Sequence, residues 1–240
     1  MVALHLVVYK HARSHAHSIC ANMAKFVHPS TWLVAGPTGS GKTQWIAEVL
    51  RHDFIAPKPE RIVWVYAEWQ TLYDKIRMLI PLIEFVKSAP DNLYETLDPK
   101  RCNLLVMDDQ MAELGDSRAL SSYYTKGSHH RNTSVIYIVQ NLFDRGKSQR
   151  TVSLNTQYLV VFKNPRDAAQ IEALGRQMYP HTPKFLAEVF ADATRKPYSY
   201  LLIDLRPETP EQFRLRTNVL PIEASNPTVY KQSSRARSRR

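Results

Sequence analysis

The sequence contains little cysteine and no long apolar run. Cys20 and Cys102 are the two cysteines among 240 residues, which excludes a disulfide framework and a four-thiolate metal site and suits a reducing compartment. No stretch approaches the ~18 consecutive apolar residues of a membrane span. Lys10, Arg13 and four histidines interrupt the first twenty residues, which argues against a secretory signal. We therefore expect a soluble, intracellular protein with no membrane partner.

Acidic residues are also scarce: the chain has 22, against 32 lysines and arginines, which gives a net charge of +10. Half of that excess lies in the last ten residues, which contain no acid: Lys231, Arg235, Arg237, Arg239 and Arg240. A basic, serine-rich end cannot bury enough apolar surface to fold, so disorder is expected. It could bind polyanions through counterion release, or serve as a solubilising or nuclear-targeting tail.

The length of 240 residues and the 44% hydrophobic content suit one domain with a full core. We divide the chain into three segments. Residues 1–25 are predicted to be an irregular N-terminal extension, residues 26–222 an α/β domain, and residues 223–240 a basic, disordered tail.

Five short, continuously apolar runs predict buried strands at residues 31–35, 61–66, 103–108, 134–139 and 157–162. Continuous rather than alternating apolarity favours a parallel sheet with helices on both faces. Helices are predicted at residues 44–52, 69–86, 118–126, 168–178 and 184–193. Two later strand-like runs, 198–205 and 213–219, could extend this sheet or flank it.

The strongest motif follows the first strand and opens the first helix, and it has the form GxxxxGKT. Its glycines let successive N–H groups point at phosphate oxygens, the lysine reaches the β- and γ-phosphates, and the threonine hydroxyl binds Mg²⁺. The predicted ATP-binding residues are Gly36, Pro37, Thr38, Gly39, Ser40, Gly41, Lys42 and Thr43. This loop predicts a P-loop ATPase that uses ATP and Mg²⁺.

A weaker motif places two acids at the end of the third strand. Asp108 is predicted to hold Mg²⁺ together with Thr43, because open α/β sheets bind ligands at the carboxyl ends of their strands. Asp109 is predicted to be the general base that polarises the attacking water. The alternative is that either acid simply caps the segment that begins at Gln110.

The fourth strand ends in a polar pair, Gln140 and Asn141. In motor-type P-loop folds an additional strand lies between the phosphate-loop strand and the acid-bearing strand, so its last residue lies beside the γ-phosphate. We interpret Gln140 as a residue that orients water or senses that phosphate. Taken alone, a polar residue at the end of a strand is ordinary.

Together, residues Gly36 to Thr43, the pair Asp108-Asp109, and residues 130–134 leading a strand into Gln140 resemble the poxvirus-type genome-packaging ATPases. That family belongs to the FtsK/HerA group of ring-forming DNA pumps, which also occurs in large DNA viruses and virus-like transposons. The resemblance covers residues 26–162. It implies a RecA-like core with an additional strand, a homo-oligomeric ring, and threading of double-stranded DNA into a capsid within a host cell or virion.

The same resemblance implies an arginine that reaches the γ-phosphate of a neighbouring subunit. Arg131 and Arg145 are the candidates, and we prefer Arg131. It also belongs to a basic cluster beside two tyrosines that could contact DNA phosphates or be a solvated loop. The other members of the cluster are Lys126, His129 and His130, and the tyrosines are Tyr123 and Tyr124.

Two other functions compete with a packaging motor that has capsid proteins as candidate partners. A nucleoside or nucleotide kinase would need a substrate-binding acid and an arginine-rich lid, for which Glu68 and residues 145–150 are available. The pair Asp108-Asp109 argues against a kinase, which generally needs only the first acid. The third possibility is a DNA-binding scaffold that keeps the loop without hydrolysing ATP.

Overall fold

The computed structural model describes residues 7–9, 25–90, 92–108, 123–124, 131–142, 147–223 and 227–232. Most strands of this part of the chain join one ten-stranded sheet. The strands are β1 (Val7–Tyr9), β2 (Phe26–Val27), β3 (Thr31–Ala35), β4 (Ile55–Ala56), β5 (Arg61–Tyr66), β6 (Ile83–Lys87), β7 (Asn103–Asp108), β8 (Thr133–Val139), β9 (Tyr158–Phe162), β10 (Tyr200–Asp204), β11 (Leu215–Thr217) and β12 (Thr228–Lys231). The sheet order is β1-β12-β11-β10-β9-β3-β8-β7-β5-β6, and β2 pairs separately with β4.

The half of the sheet from β9 to β6 is parallel. All residues of β3, β7, β8 and β9 are buried, which explains their continuous apolarity. Strand β8 lies between β3 and β7, pairing with one through Thr31↔Val135 and with the other through Asn103↔Thr133. The predicted α/β sheet with an additional strand beside the phosphate-loop strand is confirmed.

Helices cover both faces of this sheet. They are α1 (Lys42–Arg51), α2 (Thr71–Leu79), α3 (Leu93–Thr96), α4 (Lys147–Asn155), α5 (Ala168–Met178) and α6 (Phe185–Ala193). Trp45 of α1 and Ile76 of α2 belong to the core on one face, whereas Ile171 of α5 and Leu186 of α6 belong to the core on the other. None of these helices is long and apolar enough to cross a lipid bilayer.

The prediction of a helix at residues 69–86 is wrong for the second half of that range. Helix α2 ends at Leu79, and β6 begins at Ile83 as a parallel edge strand beside β5. Pro81 explains the break, because a proline disfavours the helical conformation at the residue before it, here Ile80. The β-branched and aromatic residues that follow suit a strand.

The C-terminal part extends the sheet, which answers a question that the sequence left open. Helix α5 has the predicted bounds, and α6 starts one residue later than predicted. Strand β10 adds to β9 in the antiparallel direction through Tyr200↔Phe162, and β11 and β12 continue this half of the sheet. The helix predicted at residues 118–126 lies outside the described residues, apart from positions 123 and 124.

Two strands lie in segments that we expected to be irregular or disordered. Strand β12 falls within residues 223–240, and β1, within residues 1–25, pairs with it. Tyr230 of β12 is 2% exposed, belongs to the core on one face of the sheet, and donates a hydrogen bond to Asp192 of α6 (2.8 Å). The composition of the tail gave no sign of this short buried run. The arginines after residue 232 lie outside the described residues.

Polar side chains at the amino edge of the sheet bind one another. His28 lies between Ser134 Oγ (2.7 Å) and Asn132 Oδ1 (3.1 Å), and burial lowers the pKa of its imidazole despite the hydrogen bonds to Asn132. Asp204, which is 1% exposed, accepts hydrogen bonds at 2.9 Å from both Arg206 and Arg216. The buried carboxylate of Asp204 is therefore paired with two guanidinium groups.

Candidate nucleotide-binding site

The predicted phosphate loop connects β3 to α1 at the carboxyl edge of the sheet. Gly41 precedes the helix with φ 97°, a conformation that favours glycine. Among the described residues no side chain caps the first turn of α1, and no acid lies within that turn. The helix therefore presents its N-terminal N–H groups and the positive end of its dipole to the loop, an arrangement that binds anions.

Position 36 requires a glycine, because its backbone lies close to β9. A Cβ on this residue would lie 2.7 Å from Cβ of Phe162 and 2.9 Å from Ser40 Oγ. The amide of Gly36 donates to Val139 O at the end of β8 (3.2 Å). The first loop residue is thus fixed against both strands that flank β3.

The ammonium group of Lys42 lies inside the loop. It donates hydrogen bonds to Gly36 O (2.6 Å) and Pro37 O (2.9 Å), and the residue is 8% exposed. Nearby, Ser40 Oγ is buried and has no hydrogen-bond partner among the described residues. A buried cation that contacts two loop carbonyls, next to a hydroxyl without a partner among the described residues, fits an anionic ligand such as a triphosphate.

The two predicted metal ligands lie together. Thr43 Oγ1 is 3.2 Å from Asp108 Oδ2, and Asp108 is 3% exposed at the end of β7. Tyr73 of α2 donates a second hydrogen bond to the same carboxylate oxygen (2.9 Å). A hydroxyl and a carboxylate beside a phosphate loop are oxygen donors that suit Mg²⁺, so Thr43 and Asp108 could hold the ion.

Gln140 directly follows β8 at the same edge. The register pairs Val139 with Ala35, the residue before the loop, so Gln140 lies next to the phosphate loop in the neighbouring strand. Its role as a sensor stays a prediction. Asp109, the predicted general base, lies outside the described residues, and so does Arg145.

Arg131 lies at the opposite edge of the sheet, before β8 begins. Seven residues of strand at ~3.3 Å each place it roughly 20 Å from this subunit's own phosphate loop. Its guanidinium lies over the Tyr94 ring (5.1 Å to the centroid) and donates to Leu97 O (3.4 Å). The fold therefore does not bring Arg131 to the site within one subunit.

The aromatic part of the predicted DNA-facing cluster is not at the surface. Tyr123 and Tyr124 are 3% and 1% exposed, and the Tyr124 hydroxyl donates to Trp32 O within the core. These rings cannot contact DNA, because they are packed against the sheet. Lys126, His129 and His130 lie outside the described residues.

A cleft of about 360 Å³ lies beside the loop on the side of β9 and β10. Neither the outer wall of this cleft nor Tyr73 was predicted from the sequence. Neither has a motif: Tyr73 is one aromatic residue in an amphipathic helix, and the outer wall precedes a strand whose direction the sequence did not reveal. The cleft is lined by Pro37, Thr38, Gly39, Ser40, Lys163, Pro165, Lys196, Pro197, Tyr198 and Ser199.

Comparison with known proteins shows similarity in structure. The genome-packaging NTPase B204 from Sulfolobus turreted icosahedral virus 2, in complex with sulfate, superposes with a TM-score of 0.52 over 75% of this chain and 94% of that chain. The chain has a P-loop NTPase fold. Sequence identity to B204 is 13%. No protein-family profile matches the sequence, and no curated protein does.

Two further B204 structures agree. The complex with AMPPCP has a TM-score of 0.50 at 16% identity, covering 75% of this chain and 95% of that chain. The DNA-packaging ATPase B204 from Sulfolobus turreted icosahedral virus has a TM-score of 0.50 at 14% identity, covering 76% and 96%. At these identities the likeness concerns the fold.

Proposed function

We propose that this chain is a P-loop ATPase that hydrolyses ATP with Mg²⁺ and uses the energy to translocate double-stranded DNA, as in the packaging of a viral or virus-like genome. The observation that carries the ATPase proposal is the convergence of Lys42, Thr43 and Asp108 at the carboxyl edge of the sheet. These three residues supply a cation for phosphate and two oxygens for a metal.

Each residue has a task in this proposal. Lys42 exchanges its loop carbonyls for β- and γ-phosphate oxygens, while the N-terminus of α1 binds the same phosphates. Thr43 and Asp108 hold Mg²⁺, which when bound neutralises charge that develops on the phosphates during transfer. Tyr73 orients Asp108 through the hydrogen bond to Oδ2. Asp109 follows Asp108 directly and acts as the general base for water.

The inserted strand β8 favours a motor over the kinase alternative. Motor-type P-loop folds place such a strand between the phosphate loop and the acid, and its end puts Gln140 beside the loop. Gln140 then orients the attacking water or senses the γ-phosphate. Glu68 does not support the kinase alternative, because it lies at the surface and pairs with Lys87 (3.3 Å).

DNA packaging is supported by the fold of B204, which is a genome-packaging NTPase, and by the resemblance of the loop, the acid pair and the Gln140 strand to packaging ATPases. The +10 net charge suits a polyanionic partner. We propose a homo-oligomeric ring, soluble inside a host cell or virion, with capsid proteins as further partners. A role for Arg131 in trans requires that the amino edge of one subunit face the carboxyl edge of the next.

The test is ATP hydrolysis by the purified full chain with and without long double-stranded DNA, beside a nucleoside-kinase assay on the same preparation. We expect phosphate release that DNA stimulates and that falls at least 100-fold in Lys42→Ala and Asp109→Asn. Lys58→Ala is the matched control, because Lys58 is an exposed lysine paired with Asp53 (2.8 Å).

Three results would contradict parts of this proposal. Transfer of phosphate to a nucleoside, with no effect of DNA, would replace the motor with a kinase. DNA binding without any ATP turnover would favour the scaffold. ATP turnover that DNA does not alter would support the ATPase activity and contradict DNA translocation.

A further inference from the structure

The cleft beside the phosphate loop lies on one defined side of it. Tyr200 pairs with Phe162, so the residues before β10 reach the same carboxyl edge as the end of β9. The loop forms one wall of the cleft, and residues 196–199 form the facing wall. Of the predicted catalytic motifs, only the phosphate loop contributes residues to the lining of this cleft.

Tyr198 is the unusual residue of that wall. It is 73% exposed and has a φ of 61°, a left-handed conformation that is costly for a bulky side chain. Its ring nevertheless lies against the loop, since a Cβ on Gly41 would be 3.5 Å from Tyr198 Cδ1. A strained backbone thus holds an exposed aromatic ring beside the phosphate-binding residues.

The direction of a bound nucleotide follows from the sheet order. Thr43 and Asp108 mark the metal and γ-phosphate side, toward β8 and β7. A nucleoside triphosphate is a linear chain, so its base must leave the loop on the other side, toward β9 and β10. The cleft and Tyr198 lie on that side.

We propose that Tyr198 is the stacking platform for the base of a bound nucleoside triphosphate. Stacking suits a ring with an open face, and it binds any nucleobase because every base has a π-face. Lys163 and Lys196, which line the same cleft, would lie near the α-phosphate and ribose. This inference rests on the proposed nucleotide binding and adds the base site to it.

The test compares two ligands that differ by the nucleoside. AMPPCP and inorganic tripolyphosphate, each with Mg²⁺, are titrated calorimetrically into the full-length parent chain and three variants. Tyr198→Gly and Tyr198→Asn both remove the ring, and both residues tolerate a positive φ, so neither adds backbone strain. Tyr198→Phe keeps the ring and is the matched control.

We expect Tyr198→Gly and Tyr198→Asn to weaken AMPPCP binding roughly 5- to 100-fold, as the loss of one stacked base does. Tripolyphosphate binding should stay within about twofold of the parent, and Tyr198→Phe should bind both ligands as the parent does.

An equal loss of affinity for both ligands would mean that Tyr198 supports the phosphate loop rather than a base. That result would overturn the inference. Unchanged AMPPCP binding in the Gly and Asn variants would overturn it as well, while leaving the proposed ATPase intact. Failure of the parent to bind either ligand would reject the proposed function, and the base site with it.

Discussion

The two edges of the central sheet carry polar clusters of different kinds. At the amino edge, His28 has a partner at each ring nitrogen, and Asp204 is shared by Arg206 and Arg216. At the carboxyl edge, the Ser40 hydroxyl is buried with no partner in the described part of the chain. The His28 and Asp204 clusters are bound internally, although Asn103 Oδ1 at the same edge is buried without a partner among the described residues. The phosphate loop at the other edge keeps a hydroxyl that a ligand could bind.

The difference indicates which substitutions should affect stability and which should affect ligand binding. Unsatisfied polar groups and strained backbone cost free energy, and they persist where a ligand can use them. The carboxyl edge has both, in Ser40 and in Tyr198. Substitutions at the amino edge should therefore change stability, and substitutions at the carboxyl edge should change binding and turnover.

The sharpest test of the amino edge is Asp204→Ala. It leaves two guanidinium groups without their carboxylate, and burial already lowers the pKa of Arg216. Removing one partner of a buried pair costs about 3–5 kcal/mol of unfolding free energy, measurable by urea denaturation. Nucleotide affinity of the folded variant should not change.

The matched control for that variant is Glu68→Ala, which removes an exposed acid paired with Lys87 and should cost less than about 1 kcal/mol. If the two variants lose similar amounts of stability, the amino edge does not have the structural role that we assign to it.

A second test concerns the carboxyl edge. Tyr73→Phe removes the hydrogen bond to Asp108 and should raise the Mg²⁺ concentration for half-maximal turnover roughly tenfold, because a ligand's hydrogen-bond partner orients it. Unfolding free energy should fall by only about 1 kcal/mol. Tyr66→Phe is the control, since its ring packs against Tyr73 (5.7 Å). An unchanged Mg²⁺ requirement would show that Tyr73 is structural.

The smallest expected effect is the pH dependence of stability at His28. Burial lowers its pKa below the ordinary 6.5, so the unfolded chain binds the proton more readily than the folded chain. The contribution of neutral His28 is complete above pH 6.5 and is lost as pH falls toward the lower folded pKa. Unfolding free energies of the parent and His28→Gln between about pH 5 and 8 should therefore diverge as the pH rises. Parallel curves would contradict this.

The sequence predicted the features that depend on contiguous residues or on uniformly apolar runs. The loop from Gly36 to Thr43 and the five buried strands are of this kind, and Asp108 was found because it ends such a strand. The order of β3, β8 and β7 came from a fold-level rule about motor-type sheets rather than from these residues, and the structure confirms it.

What the sequence did not predict depends on contacts between distant segments. The strand β6 was hidden inside a helical pattern, and only Pro81 pointed to the break. Tyr73 and Tyr198 carry no motif, and their positions follow from how α2 and β10 pack against the rest. The direction of β10 was the missing information for Tyr198, because a parallel strand would have placed that residue at the other edge.

The position of Lys42 also bears on the energetics of ligand capture. Its ammonium group has already left bulk water when the chain folds, and the carbonyl oxygens of Gly36 and Pro37 act as temporary coordination partners. Phosphate oxygens would then take the place of these carbonyls. Most of the dehydration of this cation therefore occurs during folding, so that binding begins from a charge that is largely desolvated and directed into the loop.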